Sequence, residues 1–134
     1  KWPLYGWAVK RYGNIAINRQ SHFHSMRGMQ KAAEKLRKGY SMVILPEGHR
    51  TLTGELGPFK KLPFYLAKQG GADIVPVGLS GLFTMKKKHS WHIKPTTIKI
   101  KFGDAIPYDK MASMELDDLR DLTREEIKKL IKRP

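Results

Sequence analysis

The sequence predicts an α/β domain in which helices flank a largely parallel sheet. Short apolar runs rich in β-branched residues, such as 41–45 and 74–77, alternate along the chain with longer amphipathic segments. Gly and Pro residues separate these runs, and strands that alternate with helices form layered, mostly parallel sheets. A length of 134 residues suits one domain, so residues 1–134 are predicted to be a single unit.

The first half of the chain is predicted to begin with a short strand over 13–18 that ends at Arg19. A helix over 21–38 follows, because its apolar residues recur at spacings of three and four. Gly39 comes next, where a helix end favours glycine. Residues 41–45 contain Val and Ile, which predicts a buried strand.

The remaining elements follow from the same patterns. They are a loop over 46–57, a helix over 59–69, a buried strand over 74–77, a loop over 78–81, a half-buried strand over 96–102 and an amphipathic helix over 114–133. In a parallel sheet, functional loops lie beyond the carboxyl ends of the strands. Arg19 and the loops 46–57 and 78–81 are therefore expected near one another.

The charge of the chain is strongly positive and unevenly placed. Lys and Arg number 26 against 12 Asp and Glu, for a formal charge of +14. The basic excess lies in residues 1–103, whereas 104–134 is nearly balanced. Such a field favours anionic partners: nucleic acid, an anionic membrane or phosphorylated substrates. A sequence without cysteine excludes disulfides, thiolate metal sites and a cysteine nucleophile.

The strongest local signal is the segment Pro-Glu-Gly-His-Arg-Thr at 46–51, directly after a predicted strand. Gly48 permits a sharp turn or a close approach to a ligand, and Arg50 offers a planar fork suited to phosphate. Glu47 could orient Arg50 or accept a hydrogen bond from a substrate hydroxyl. The alternative is a solvated turn with a Glu–Arg pair, which the local chemistry alone favours.

Two further groups of basic residues are candidates for an anion site. Arg19 is predicted at the same sheet edge as Arg50, although a single Arg after a strand is usually a surface residue. The segment Gly-Pro-Phe-Lys-Lys at 57–61 leads two lysines into a helix N-terminus. Lysines there oppose the helix dipole unless an anion lies nearby. A solvated lysine pair is the alternative.

The order and spacing of these segments resemble the phospholipid acyltransferase family, which transfers fatty acyl groups to glycerol phosphate or lysophosphatidic acid. The family's second sequence block is similar to Tyr12–Arg19 and its fourth to Ile74–Gly78. Its third block, a Phe-Pro-Glu-Gly-Thr-Arg-Ser pattern, is similar to Leu45–Thr51, and Pro58–Lys61 fits the continuation. The resemblance covers most of residues 1–103, and the third block is its most specific part.

The resemblance implies roles for particular residues. The acceptor's phosphate and glycerol would be bound by Gly13, Arg19, Glu47, Gly48, Arg50 and Lys60. The acyl donor would lie near Val75, Pro76 and Val77. His49 stands where the family usually has Thr, and Leu62 where Gly is common, which bears on acceptor specificity.

In the family, a His followed five residues later by an Asp is the general base that takes the acceptor hydroxyl's proton. None of the five histidines of this sequence fits that spacing. The residues that stand five positions after them are Arg27, Met29, Gly54, Lys94 and Thr97. The dyad is therefore expected upstream of Lys1, the fold is expected to be truncated at its N-terminus, and residues 1–134 alone are expected to be inactive.

The expected function is acyl transfer from acyl-CoA or acyl carrier protein to a lysophosphatidate-like acceptor, with no metal or redox cofactor. Residues 1–103 would form the phosphate-binding and acyl-donor region, and 104–134 a strand end and an amphipathic helix. A phospholipid membrane surface, at its cytoplasmic face, is an expected partner, and nucleic acid is not. The alternatives are a basic nucleic-acid-binding module and a catalytically silent lipid-binding relative. An upstream His-x-x-x-x-Asp block would support the enzyme over the silent relative.

Overall fold

The computed structural model describes Trp7, Arg11 and residues 22–86 and 90–132. In these ranges the helices are α1 (His22–Arg37), α2 (Leu62–Gly70), α3 (Leu82–Met85), α4 (Tyr108–Ala112) and α5 (Leu116–Lys132), and the strands are β1 (Val77–Ser80) and β2 (Lys99–Phe102). The expected mixture of helices and strands is thus present. The predicted strand over 13–18 lies outside the described residues.

Helices α1 and α2 pack closely against each other. Their shared buried residues are Met29, Ala32, Ala33 and Leu66. The helices come nearest where Gly70 meets Leu36, since a Cβ atom on Gly70 would lie 2.7 Å from the Cβ of Leu36. The predicted helix over 21–38 is therefore confirmed to within a residue or so. Gly39 follows it in the left-handed conformation, with a φ of 83°.

A second buried cluster joins α2, α4 and α5. Its members are Phe59, Phe64, Ala67, Ile106, Met111 and Leu119. Met111 and Leu119 have no exposed surface, and burying a side chain of that size stabilises the fold by roughly 1.5–3 kcal/mol. The predicted amphipathic helix over 114–133 is confirmed as α5, since its apolar stripe supplies Leu119 to this core.

The two strands form one antiparallel pair, with Val77 opposite Phe102. Helix α5 covers one face of the pair, where a Cβ atom on Gly78 would lie 2.7 Å from the Cβ of Leu130. On β2, Ile100 and Phe102 remain 56% and 72% exposed. The sheet is therefore packed on the side of α5, and β2 presents apolar side chains to solvent.

The predicted buried strand over 41–45 is wrong. The segment has irregular backbone, and Val43 is 98% exposed. A strand needs a partner for its backbone hydrogen bonds, and no described segment pairs with these residues. Its apolar composition indicated burial, but composition does not supply a neighbouring strand.

The strand predicted over 74–77 and the loop predicted over 78–81 are displaced. Ile74 forms an isolated antiparallel bridge with Ile106, and β1 begins only at Val77. Pro76 interrupts the ladder between them, because it has no N–H to donate. The turn that follows β1 begins at Gly81, whose φ is 92°.

Three other predictions need correction. The strand over 96–102 shortens to β2, which is mostly exposed. The helix over 59–69 begins at Leu62, with Pro63 in its first turn, and the N–H of Lys60 before it donates to the carbonyl of Pro46 at 2.9 Å. The largely parallel sheet is not found among the described strands, whose pair is antiparallel. Parallel neighbours are usually joined by a crossover helix, whereas the helix described between β1 and β2 is α3, with 4 residues.

Candidate functional site

The turn at 46–51 borders a cleft of about 420 Å³, which is lined by residues 47, 49–53 and 55–57. Gly48 has a φ of 73°, a conformation that L side chains rarely adopt, and its N–H donates to the carbonyl of Leu45 at 3.1 Å. Glu47 is half-buried, whereas His49 and Arg50 are exposed. The turn therefore presents a fixed carboxylate and a solvent-accessible guanidinium to the same cleft.

Hydrogen bonds hold the segment 57–60 against this turn. The Oε2 atom of Glu47 accepts the N–H of Gly57 at 2.8 Å, and the carbonyl of Pro46 accepts the N–H of Lys60 at 2.9 Å. A Cβ atom on Gly57 would lie 3.0 Å from the same Glu47 oxygen, so a larger residue would push this oxygen away by a few tenths of an ångström. Glu47 thus holds the loop through Gly57 and does not orient Arg50. The Glu–Arg pair considered from the sequence is not the contact that the structure shows.

The far wall of the cleft is a compact turn braced by Thr51. Its Oγ1 accepts the N–H of Thr53 at 3.2 Å and that of Gly54 at 3.0 Å. Gly54 has a φ of 89° and lies against α3, since a Cβ atom there would be 2.9 Å from the Cδ1 of Phe83. This contact brings the loop 46–57 beside α3, which follows β1, whereas the sequence predicted proximity to a loop over 78–81.

Arg124 of α5 also contacts the loop. Its Nη2 donates to the carbonyl of Leu56 at 2.9 Å, and its Nε donates to that of Gly57 at 3.2 Å. The sequence does not distinguish Arg124, because an Arg on the polar side of an amphipathic helix resembles any solvated residue. Only the fold shows that this side of α5 meets the cleft.

The two lysines of the 57–61 segment, Lys60 and Lys61, differ in their contacts. Lys61 forms an exposed ion pair with Asp117, with Nζ and Oδ2 at 2.7 Å. The hydrogen bond from Lys61, with the nearby charges of Lys61 and Arg120, lowers the pKa of Asp117. Arg120 likewise lowers the pKa of Asp121 through a hydrogen bond. Lys60 remains exposed beside the turn, so it is the lysine available to an external anion.

The predicted site residues therefore fall into three groups. Glu47, Gly48, Arg50 and the backbone of Lys60 are brought together. The predicted donor residues flank the start of β1: Pro76 is buried, Val77 is half-buried and Val75 is 49% exposed. Gly13 and Arg19 lie outside the described residues, so the convergence of Arg19 with Arg50 stays a prediction.

Two further properties concern the described part of the chain. It contains no cluster of three or more His, Cys, Asp or Glu side chains that could hold a metal ion. Among its helices, none combines the length and apolar character that crossing a membrane requires.

Known proteins similar to this chain carry a consistent set of names. The acyltransferase family profile matches residues 1–80. A 1-acyl-sn-glycerol-3-phosphate acyltransferase of Limnanthes douglasii is 30% identical over 118 residues, covering 87% of this chain and 42% of that protein. The human 1-acyl-sn-glycerol-3-phosphate acyltransferase beta is 34% identical over 113 residues, covering 81% of this chain and 40% of its own length.

A solved structure shares the fold. The 1-acyl-sn-glycerophosphate acyltransferase PlsC from Thermotoga maritima superposes with a TM-score of 0.81 at 23% identity, over 98% of this chain and 52% of that protein. The chain spans less than half the length of the two relatives compared above. Because the family profile covers more than half of the chain and includes the 46–51 turn, the family expected from the motifs is confirmed: the chain belongs to the acyltransferase family.

Proposed function

We propose that the protein transfers a fatty acyl group from an acyl thioester to the free hydroxyl of a lysophosphatidate-like acceptor. The observation that carries this proposal is the turn at 46–51, where Glu47 and Arg50 line one cleft. Relatives of the chain are named for this acceptor class. The family match gives no support to the nucleic-acid-binding alternative.

The acceptor's phosphate is assigned to Arg50 and Lys60. A guanidinium donates two parallel hydrogen bonds to phosphate oxygens, and an ammonium adds a point charge. Both side chains are exposed, and the N–H of Lys60 is bonded to Pro46, which precedes the half-buried Glu47. Gly13 and Arg19 complete the phosphate site in this proposal, as the resemblance implies.

The acceptor's glycerol is assigned to Glu47. One carboxylate oxygen is engaged by Gly57 at 2.8 Å. A carboxylate has two oxygens that accept hydrogen bonds, so Oε1 remains for a glycerol hydroxyl. The half-buried position of Glu47 strengthens such a bond relative to one formed in bulk water.

The reaction is a substitution at the thioester carbonyl. The acceptor oxygen forms a bond to the carbonyl carbon, the carbon–sulfur bond breaks, and the hydroxyl proton passes through a base to the leaving thiolate. The resemblance assigns that base to a His-Asp dyad, a spacing that none of the histidines between residues 1 and 134 provides. The donor, acyl-CoA or acyl carrier protein, is assigned to the region of Val75, Pro76 and Val77.

The proposed setting is the surface of a phospholipid membrane at its cytoplasmic face. Trp91 and Ile93 are 93% and 67% exposed, and Lys94 follows them. Aromatic and apolar side chains beside lysines suit the interface between lipid headgroups and water. The net charge of +14 favours an anionic surface.

The test is steady-state kinetics of the full-length protein with lysophosphatidate and labelled acyl-CoA. Arg50→Lys keeps the charge but removes the fork, so the acceptor KM should rise about ten- to a hundredfold while the donor KM stays constant. Arg37→Lys is the matched control, since Arg37 bonds the carbonyl of Gln69 at 3.2 Å. Absence of acyl transfer by the wild type refutes the function, and unchanged acceptor kinetics in Arg50→Lys refutes the phosphate assignment.

A further inference from the structure

A guanidinium, a peptide unit and a carboxylate are linked in series beside the cleft. Arg124 donates to the carbonyl of Leu56 at 2.9 Å. The N–H of the same peptide unit, which belongs to Gly57, donates to Oε2 of Glu47 at 2.8 Å. The peptide therefore has its carbonyl at a cation and its N–H at an anion. Hydrogen bonds in such a chain polarise one another, so each strengthens the next.

Arg124 holds the loop with two hydrogen bonds rather than one. Its Nε donates to the carbonyl of Gly57 at 3.2 Å, next to the carbonyl of Leu56 that Nη2 contacts. The fixed fork of a guanidinium suits two neighbouring acceptors, which a lysine ammonium does not match in geometry. The Nη1 atom lies 3.5 Å from Oε1 of Glu125, an exposed neighbour on the same helix.

The position of this fork is fixed by the core. Leu119, on the same helix, is fully buried, and Ile127 packs against the same cluster. Leu56, whose carbonyl accepts from Arg124, also packs against that cluster. Both partners of the hydrogen bond therefore belong to segments that are anchored in the same apolar cluster.

We infer that Arg124 is a positioning residue for the reaction. Through the Leu56–Gly57 peptide unit it holds the carboxylate of Glu47 in place, which leaves Oε1 free for the acceptor's glycerol hydroxyl. Arg124 itself touches neither acceptor nor donor in this scheme. The inference rests on the proposed acceptor-binding role of Glu47, and it adds a residue outside the segments that resemble the family's blocks.

The kinetic test compares Arg124→Met with Arg124→Lys in the full-length protein. Arg124→Met should raise the acceptor KM about tenfold, with less than about a twofold change in donor KM and in kcat at saturating acceptor. Arg124→Lys should fall between Arg124→Met and the wild type, since it retains one donor. Lys128→Met is the control, because Lys128 lies one turn further along α5 and pairs with Glu125 at 3.3 Å.

Hydrogen exchange of the Gly57 amide tests the inference without turnover. Exchange should be about tenfold faster than in the wild type in Arg124→Met and in Glu47→Gln. The double variant should exchange only slightly faster than either single variant, because both substitutions break the same chain of hydrogen bonds. A wild type without acyl transfer refutes the proposed function and leaves this measurement intact. Unchanged Gly57 exchange in Arg124→Met overturns the inference, as does a wild-type acceptor KM in an active Arg124→Met enzyme.

Discussion

Replacing Gly57 by Ala should weaken acceptor binding without unfolding the protein. The new Cβ atom would lie 3.0 Å from Oε2 of Glu47, so this oxygen has to shift by a few tenths of an ångström. The shift strains a charge-assisted hydrogen bond whose complete loss would cost about 1.5 kcal/mol for a partly exposed pair, so acceptor affinity should fall by up to about tenfold. Steady-state kinetics with the acceptor and donor varied separately should show this rise in the acceptor KM alone.

The stability of the Gly57→Ala variant should stay within about 1 kcal/mol of the wild type. Gly57 does not have a positive φ, so alanine can adopt its backbone conformation, and the displaced atom is the end of a flexible side chain. Gly71→Ala is a control with the reverse expectation. The φ of Gly71 is 63°, which strains alanine, so the variant should be less stable. Nothing lies within 4 Å of the added Cβ, so the acceptor KM should not change. A Gly57→Ala enzyme with wild-type acceptor kinetics would refute the assignment of Glu47 to the acceptor.

Three further predictions test the core, the acid response and the membrane. Leu119→Ala should lower the free energy of unfolding by about 2–5 kcal/mol in urea titrations, whereas Leu52→Ala, at a position 68% exposed, should have little effect. Because Lys61 lowers the pKa of Asp117 below its ordinary 3.8, the pair's contribution is complete above that pH and is lost as pH falls through the lowered value. The stability difference between Asp117→Asn and the wild type should therefore be present at about pH 6 and shrink as the pH falls below the ordinary pKa of 3.8. The protein should float with anionic vesicles more than with neutral ones, and less so in high salt. Equal binding to both would contradict the membrane proposal.

The site was predictable where its signal lies in one short segment. A glycine between Glu47 and Arg50 indicated a sharp turn, and the left-handed φ of Gly48 agrees with it. The partner of Glu47 was not predictable, because Gly57 contributes a backbone N–H ten positions away. Every residue except proline has such a donor, so no sequence pattern distinguishes the one that a fold brings into contact.

The helices were predicted more reliably than the strands. The period of α5 shows which of its residues enter the core, since the pattern and the hydrogen bonds both belong to one segment. A strand depends on a neighbouring strand for its hydrogen bonds. The segment 41–45 has a composition that favours strands, yet it has no described partner and Val43 is 98% exposed. At 74–77 the pairing partner exists, but Pro76 removes one donor from the ladder and delays β1.

The nearly balanced C-terminal segment and the basic first part of the chain differ in the contacts that their charges make. Several surface ion pairs draw their carboxylates from α5, namely Asp117, Asp121, Glu125 and Glu126. Most of their cations also belong to α5, and Lys61 comes from the basic region 1–103. The acidic residues of 104–134 thus serve largely to offset the charge of their own helix. From the basic region 1–103, Arg50 lines the cleft and the exposed Lys60 contacts Pro46 of the turn through its backbone, so both are placed to act on an external anion such as phosphate.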